Sequence, residues 1–417
     1  MPKTRPILIA MAQKSPRLPL LFATLAATMA GLALAIPLYI IRPFRPQGLY
    51  EIGLALQVRD VAPTLSGICA LVVLVLLAWN WHASRIQARV GFVLCAFVTL
   101  SATALTRINH FERMFHPYSA PAFTTAAELH IDPDDKVLSV TIDSQTHAFP
   151  IRTMGYHHIV NDTLAGIPIA ATYCTLCHTG LVYDRRIFID GDLTTLSFTL
   201  AGINNGNALL RDNVTGTIWQ QSTGEGIFGQ LKGRQLTIIP SDELTFALWR
   251  AEWPEALILK PDAASATHYD PKDWEDRIAK THAVIDTSAS DFDPHTLMLG
   301  ITLGGQSKAF PIEQLLAAHL VEDHVGGQPL LLVVGPDNVS IRAFNPRLPD
   351  QTAEMHFILA PDTPDHLTDR ETGSIWNFAG CAIYGSLLGK CLPHVEAHKS
   401  YWFDWLNHHP NTIVFRG

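Results

Sequence analysis

Three long apolar segments in the first quarter of the chain limit its fold more than any other feature. Two of them, at about residues 18–41 and 61–81, contain no charged residue, and a third covers about 90–106. A helix needs about 20 apolar residues to cross ~30 Å of hydrocarbon, so the third is only just long enough. The first is too long for a signal peptide, and no small-residue cleavage site follows it. We therefore predict a retained anchor of three transmembrane helices within residues 1–106.

Basic residues beside these segments predict which side of the membrane the rest of the chain faces. Cations precede the first segment, and Arg85 and Arg89 lie in the link between the second and third. Because Lys and Arg are enriched in cytoplasmic loops, both stretches are expected in the cytoplasm. Three crossings of the inner membrane then place the C-terminal domain on the periplasmic side. Arg42, Arg45 and Arg59 in the opposing loop weaken this orientation.

The composition agrees with a membrane protein and argues against a nucleic-acid partner. Charged residues make up 16% of the chain, below the ~25% of a typical soluble protein. The formal net charge is -8, and no Lys/Arg block follows the membrane region. The membrane is the partner that the sequence indicates, and it identifies no protein partner or small-molecule substrate.

The remainder of the chain repeats itself. An Ala-Phe-Pro-Ile element at 148–151 recurs at 309–312, and a Thr-Gly-(Thr/Ser)-Ile-Trp element at 215–219 recurs at 372–376. Further matches occur in the same order, which is the signature of a duplicated structural unit. They pair His158 with His319, Asp162 with Asp323, Pro168 with Pro329, Gly224 with Gly380, Gly229 with Gly385, Trp249 with Trp405 and Pro254 with Pro410.

We predict from these matches that residues 120–262 and 285–417 are homologous halves, separated by a polar linker at 263–284. Each half reads as a strand, a short helix after the Phe-Pro-Ile element, and several strands punctuated by Gly. A Trp-containing helix and a final strand close each half. The predicted fold class is α+β, mainly β: a duplicated antiparallel-sheet domain preceded by three transmembrane helices.

A Cys-x-x-Cys-His motif, with Cys174, Cys177 and His178, distinguishes the first half. The equivalent stretch of the second half begins Gly335-Pro336-Asp337-Asn338, a strong turn sequence. The duplication therefore predicts that the cysteines lie on a tight turn between two strands. It also predicts that the first half carries a site that the second half has lost.

Four interpretations of this cysteine pair remain open. The first is a copper or zinc site with Cys174, Cys177, His157 and His178 as ligands. The second is a dithiol–disulfide couple or an inert disulfide, although no helix follows the motif to activate a thiol. The third is c-type haem, which the motif matches literally but which a strand–turn–strand setting without a nearby Met disfavours. The fourth is a pair of buried thiols without a task.

Comparison of the halves ranks the histidines. His157 is matched by Ala318, so it accompanies the cysteines and is the better ligand candidate, followed by His178. His158 is matched by His319 in the half that lacks the Cys-x-x-Cys motif. We therefore predict that His158 is structural, as a cap or a hydrogen-bonded buried imidazole.

The other four cysteines and one glutamine receive simpler interpretations. Cys381 and Cys391 lie ten residues apart in a hairpin pattern, where either a cross-strand disulfide or two buried thiols is expected. Cys69 and Cys95 lie in the apolar segments as packing residues. Gln221 is matched by Phe378 and is therefore a candidate for the site of the first half.

The motifs of the first half resemble the family called domain of unknown function 3179 (DUF3179). The resemblance rests on His157-x-Ile159-Val160-Asn161-Asp162, Gly166-x-Pro168, Tyr173-Cys174-x-Leu176-Cys177, Tyr183-Asp184-Arg185 and Trp219-x-Gln221. It covers the first half well and the second as a diverged copy. The family pattern has Pro after the first Cys and a small residue after the second, where this chain has Thr175 and His178. The resemblance thus disfavours haem, and it implies a fold rather than an activity.

Three hypotheses for function follow, and the sequence leaves open whether the protein is an enzyme. It could bind or deliver a metal ion, act as a thiol–disulfide oxidoreductase, or serve as an interaction module whose cysteines are a structural clip. A serine–histidine triad, a phosphate-binding loop and a carboxylate pair are not evident in the sequence.

Overall fold

The computed structural model describes residues 17–108, 110, 116, 118, 121–360 and 363–417, with the side chains of 363–365 left out. The described residues form two compact units, a helical one within 1–42 and 47–110 and a sheet-rich one within 43–46 and 111–417. Helices account for 30% of the chain and strands for 33%. Because the long helices lie in the first unit, the second is mainly β, and the predicted fold class is confirmed.

The first unit contains three long helices, α1 (Arg17–Ile40), α2 (Leu49–Asn80) and α3 (Ile86–Leu105). Each is long and apolar enough to cross a membrane, which confirms the three predicted apolar helices. Helix α2 begins well before the predicted residue 61, because residues 49–60 are helical despite charges such as Glu51 and Arg59. At 1.5 Å per residue α2 is about 48 Å long, so it exceeds the ~30 Å hydrocarbon layer.

Small side chains mediate much of the contact between these helices. Ala23 and Ala27 of α1 are buried in one cluster with Phe92 of α3. Small residues let helix backbones approach closely in lipid, where van der Waals packing replaces the hydrophobic driving force. The free thiols of Cys69 and Cys95 are buried in the same cluster, as expected of packing residues.

The first half of the sheet-rich unit alternates short strands with two short helices. Its helices are α4 (Ile151–His157) and α5 (Phe246–Glu252). Its strands are β1 (Phe123–Thr125), β2 (Lys136–Ile142), β3 (Gln145–Pro150), β4 (Ile159–Leu164), β5 (Ile167–Cys174), β6 (Thr179–Asp184), β7 (Arg186–Ile189), β8 (Asp192–Thr195), β9 (Phe198–Asn204), β10 (Asn207–Asp212), β11 (Ile218–Gln220), β12 (Gly226–Phe228), β13 (Ile238–Ile239), β14 (Ser241–Thr245) and β15 (Leu257–Leu259).

The second half repeats this pattern after a connecting region that contains helix α6 (Trp274–Ala279). Its helices are α7 (Ile312–Ala318) and α8 (Trp402–His408). Its strands are β16 (Leu297–Leu303), β17 (Gln306–Pro311), β18 (Leu320–Val325), β19 (Gln328–Val334), β20 (Ile341–Phe344), β21 (Phe357–Ala360), β22 (Thr363–Asp369), β23 (Ile375–Trp376), β24 (Ala382–Tyr384), β25 (His398–Tyr401) and β26 (Ile413–Val414).

Strand order shows that the sequence repeat is a structural duplication. The run β14-β2-β3-β15 of the first half corresponds to β25-β16-β17-β26 of the second, and the last pair is parallel in both. Likewise β4-β5-β6 corresponds to β18-β19-β20, and β9-β10-β11-β12 to β21-β22-β23-β24. The exact limits of the two halves and of the linker stay a prediction.

A hydrogen-bonded turn that is common to both halves explains why the repeated Thr-Gly-(Thr/Ser)-Ile-Trp motif has the same structure in each. In the first half the indole Nε1 of Trp219 donates to Asp212 Oδ2 over 2.9 Å, and in the second Trp376 donates to Asp369 Oδ2 over 2.9 Å. Each carboxylate also accepts hydrogen bonds from the Thr of the Thr-Gly turn. The repeated element is therefore a structural turn with a buried Trp anchor.

The disulfide between Cys381 and Cys391 lies at a position where the two halves differ. It joins an antiparallel bridge in the second half, and the equivalent bridge of the first half pairs Glu225 with Gln235. The predicted cross-strand disulfide is therefore confirmed, and it replaces a polar pair at the same place in the fold.

The two halves pack against each other through equivalent elements. Strand β6 contacts β25, and its counterpart β20 contacts β14. The backbone N–H of Tyr401 donates to Cys177 O over 2.9 Å, and that of the equivalent Thr245 donates to Ser340 Oγ over 3.2 Å. This is the geometry of a two-fold interface in which each half presents the same patch.

An apolar cluster shared by the halves holds one side of this interface. It buries Leu244 and Trp249 of the first half with Leu331, Trp376 and Phe378 of the second. Other apolar clusters lie within each half. Because the shared cluster draws on both halves, neither half completes its core alone.

Short helices α4 and α7 are bounded by the same residue types. Each follows a proline, Pro150 or Pro311, whose fixed φ suits a helix start. Each ends at a histidine with φ of 60°, His158 or His319, whose N–H donates to the carbonyl four residues back. His158 Nδ1 also lies 3.1 Å from Tyr173 O. The structure therefore places His158 as the helix cap that the repeat suggested.

The His158→Asn variant is expected to reduce the acid sensitivity of the fold. Burial lowers the pKa of His158 to about 4, although the hydrogen bond that its ring donates to the carbonyl oxygen of Tyr173 partly opposes this. A lowered histidine pKa means that the unfolded chain binds the proton first, so stability is lost as pH falls from about 6.5 towards 4. Asn tolerates a positive φ and does not titrate.

We expect wild type to lose about 1–2 kcal/mol more than this variant between pH 7 and pH 5, after allowing for the partial exposure of the ring. Chemical unfolding of the full chain in detergent at both pH values measures the difference. An equal loss of unfolding free energy in wild type and variant would show that protonation of His158 does not destabilise the fold.

Candidate functional site

The cysteine motif lies on the turn that joins β5 to β6. Cys174 is the last residue of β5 and pairs across the hairpin with Thr179, the first residue of β6. Residues 175–178 make the turn itself. The prediction of a tight turn between two strands is therefore confirmed, and both sulfur atoms project from one short connection.

Both cysteines are free thiols enclosed by the protein. Cys177 is 0% exposed and Cys174 is 5% exposed. Cys174 Sγ donates to the carbonyl oxygen of Gly206, at 3.5 Å, in the turn between β9 and β10. Tyr401 and Phe403 of the second half share an apolar cluster with the two cysteines.

Residues from the connecting region complete this enclosure. Ile278, Ala283 and Ile285 are partly buried against the cysteine cluster. They lie at the end of α6 and shortly after it.

The Cys177 thiol is held in its protonated form. Burial raises its pKa well above the ordinary value, and the adjacent Cys174 side chain and the negative charge of Asp404 raise it further. A hydrogen bond with Asn207 acts in the opposite direction. At neutral pH Cys177 is consequently a thiol and not a thiolate.

A buried amide cluster lies beside the cysteines. Asn207 Nδ2 donates to Gln221 Oε1 over 3.0 Å, and Gln220 Nε2 donates to Asn207 Oδ1 over 2.7 Å. Gln221 Nε2 donates to the carbonyl of Thr179 over 3.2 Å, which ties the cluster to the cysteine turn. Gln221 thus lies at the site, where its mismatch with Phe378 had placed it.

In the second half, the ring of Phe378 takes the place of the Gln221 amide. A Cβ on Gly335, the counterpart of Cys174, would lie 3.0 Å from the ring of Phe378. The Phe378 ring therefore packs closely against Gly335, where a side chain would be crowded. The second half has thus lost the Cys-x-x-Cys thiols and the amide of Gln221, while polar Asn377 matches Gln220.

His178 points away from the sulfur atoms into a charged cluster. Its ring is 1% exposed, lies over Trp274 with centroids 5.3 Å apart, and places Nε2 3.4 Å from Glu243 Oε1. Lys399 Nζ donates to the same Glu243 oxygen over 3.0 Å, and Lys136 Nζ lies 4.0 Å from it. Burial opposes ionisation of Glu243, but Lys399, His178 and Lys136 hold its pKa well below the usual range.

His157 lies in a separate aromatic environment. Its Nδ1 is 2.6 Å from the carbonyl oxygen of His116, and its Nε2 is 3.2 Å from the hydroxyl of Tyr269. The ring of Tyr118 packs beside it, with centroids 4.1 Å apart. Both ring nitrogens of His157 therefore have oxygen partners, outside the cysteine turn.

The structure thus brings together Cys174 and Cys177 of the four predicted metal ligands and directs His157 and His178 to other partners. Within the described ranges, no group of three or more His, Cys, Asp or Glu side chains is placed to hold a metal ion. Copper or zinc binding by these residues stays a prediction.

The sequence comparison missed the contribution of the second half. Asp404 and Ser400, on α8 and β25, lie next to the cysteine turn, and Thr179 Oγ1 donates to Asp404 Oδ2 over 3.2 Å. The signal was present in the alignment, since Ser400 and Asp404 are matched by Leu244 and Leu248. A polar residue opposite a leucine marks a difference between the halves.

These features define a class: a membrane-anchored protein with a duplicated α+β domain and a buried pair of vicinal thiols on a hairpin turn. The family model described as "Protein of unknown function (DUF3179)" matches residues 117–412, so the chain belongs to this family. Comparison with curated proteins and with solved structures gave no significant match.

Proposed function

We propose that the protein is a thiol–disulfide oxidoreductase whose redox couple is Cys174 and Cys177. The observation that carries the proposal is the pair itself: two free, adjacent thiols at one hairpin turn, which Gln221 ties to a buried amide cluster.

The reaction transfers two electrons and two protons. The thiolate of Cys174 attacks a partner disulfide, forms a mixed disulfide and releases one partner thiol. Cys177 then attacks the Cys174 sulfur, closes the Cys174–Cys177 disulfide and releases the second partner thiol. The partner disulfide is reduced and the protein pair is oxidised.

The environment of the sulfur atoms assigns the two roles. Cys177 is fully buried, and its raised pKa keeps it protonated, which suits a resolving cysteine. Cys174 is the more exposed of the two and takes the attacking role. The partner disulfide gains access when the cover of Ile278, Ala283 and Ile285 opens.

Two observations support a location outside the cytoplasm for this domain. Arg85 and Arg89 lie between the second and third helices, so the positive-inside rule places the residues after α3 on the opposite side. The Cys381–Cys391 disulfide fits an oxidising compartment. Proteins with disulfides, which the proposed reaction needs as partners, occur in such a compartment.

Trapping of a mixed disulfide tests the roles. Incubation of the full-length Cys177→Ser variant with glutathione disulfide is expected to leave one glutathione attached to Cys174, whereas the matched Cys174→Ser variant accumulates at least tenfold less adduct. Intact-protein mass spectrometry reads both. Equal adducts on the two variants would refute the assigned order of attack.

A further inference from the structure

Asp404 of the second half lies beneath the cysteine turn of the first. Its side chain is 1% exposed, and Oδ2 accepts hydrogen bonds from Thr179 Oγ1 and Ser400 Oγ, each over 3.2 Å. Thr179 Oγ1 is also 3.2 Å from the carbonyl oxygen of Cys177. The carboxylate is thereby fixed against the turn that carries the sulfur atoms.

The second carboxylate oxygen has no hydrogen-bond partner. Asp404 Oδ1 is buried and unpaired among the described residues, and the imidazole Nε2 of His408 lies 3.6 Å away. Burial lowers the pKa of His408, so at neutral pH this ring carries no charge to balance the carboxylate. A buried carboxylate with a free oxygen is costly to the fold, which indicates a chemical use.

The counterpart of this carboxylate across the two-fold interface is an apolar side chain. The residue of α5 equivalent to Asp404 is Leu248, and the residue of β14 equivalent to Ser400 is Leu244. Leu244 and Leu248 both pack into the apolar cluster shared by the halves. Asp404 therefore has no acidic counterpart on α5, and the hydroxyl of Ser340, the counterpart of Thr179, donates to Asp337 instead.

We propose that Asp404 is the base that accepts the proton of Cys177 during disulfide closure, so that the second half completes the active site of the first. This role rests on the proposed thiol–disulfide exchange. As the Cys177 sulfur attacks Cys174, the S–S bond between them forms and the bond from Cys174 to the partner sulfur breaks. The Cys177 proton passes to Asp404, and the departing partner thiolate leaves with a proton, which restores the carboxylate.

This role gives the half that lacks the Cys-x-x-Cys motif a part in the reaction. Its β25 and α8 supply the backbone N–H of Tyr401, which donates to Cys177 O, together with Ser400 and Asp404. The duplication has thus become asymmetric, with the thiols on one half and the base on the other.

Two-phase reaction with the aromatic disulfide dithiobis(nitrobenzoate) tests this role in the full chain in detergent. Attack by Cys174 releases one coloured thiolate, and closure by Cys177 releases the second. The Asp404→Asn variant keeps oxygen and nitrogen groups at the hydrogen-bonding positions but loses the base. We expect an unchanged first phase and a second phase slowed about 10²–10⁴-fold, the usual range for losing a general base.

Two further variants separate base chemistry from structure. Asp404→Glu keeps a carboxylate and is expected to recover most of the second phase, whereas a structural role would favour the isosteric Asn. Asp337→Asn is the matched control, because Asp337 belongs to the half that lacks the Cys-x-x-Cys motif and accepts from Thr245 Oγ1 across the interface and from Ser340 Oγ of its own half. Its second phase should equal that of wild type.

The outcomes distinguish the two proposals. A second phase of wild-type rate in Asp404→Asn, or an Asp404→Glu variant no faster than Asn, overturns the role of Asp404 and leaves thiol–disulfide exchange standing. A wild-type protein that releases no second thiolate overturns the exchange itself, and the role of Asp404 with it.

Discussion

Replacement of Arg342 by methionine is expected to lower the free energy of unfolding by about 3–5 kcal/mol. Arg342, on β20 of the second half, is buried and makes a bidentate pair with Glu252 at 2.9 and 2.8 Å and a hydrogen bond to Asp242 at 2.7 Å. Both carboxylates belong to the first half. Methionine fills similar space but leaves two carboxylates at the interface without their shared cation.

A surface pair provides the matched control. Arg416 Nη2 lies 2.9 Å from Asp291, but both side chains are 72% exposed, so solvent screens their attraction. Arg416→Met should change stability by less than about 0.5 kcal/mol. Thermal unfolding of the full chains in detergent compares the two, with an expected drop of roughly 6–12 °C for Arg342→Met. Equal shifts in melting temperature would show that the buried ion cluster stabilises the fold no more than the surface pair does.

The second large effect is expected at Trp376. Its indole is completely buried, packs edge-on against Phe357 at 5.6 Å and donates to the buried carboxylate of Asp369. Trp376→Ala leaves a cavity and removes one donor, so we expect a loss of about 3–5 kcal/mol. Urea unfolding followed by near-ultraviolet circular dichroism measures the change.

The Trp376→Phe variant separates the two contributions. It keeps most of the ring volume and loses the hydrogen bond to a charged acceptor, for which about 1.5–3 kcal/mol is expected. A Trp376→Ala variant no less stable than Trp376→Phe would contradict the assignment of Trp376 as a core anchor.

Much of the fold could be predicted from the sequence because it depends on local pattern and self-comparison. The uncharged segments predict the helices, and the repeat predicts matched strands, turns and Trp anchors. The start of α2 at Leu49 was missed because a charge-based limit describes the hydrocarbon layer and not the helix. Helices continue beyond the lipid wherever backbone hydrogen bonds allow it.

The candidate site was harder to predict because its parts are distant in the chain. Thr179 and Asp404 are 225 residues apart, and only the two-fold packing of the halves brings them together. His157 was chosen because it accompanies the cysteines, yet its partners are His116 and Tyr269, which no local pattern links to it. The direction of a side chain depends on such tertiary contacts.

One measurement tests the central claim most directly: a redox titration of the full chain in detergent against thiol–disulfide buffers, read by alkylation and intact mass, with metal content determined on the same sample. We expect one reversible two-electron transition at Cys174 and Cys177, with a slope of about 30 mV per tenfold change. The Cys174→Ser/Cys177→Ser double variant should lack it, while Cys381–Cys391 stays oxidised. Thiols that stay reduced or oxidised throughout, or that retain one metal ion per chain, would contradict the oxidoreductase proposal.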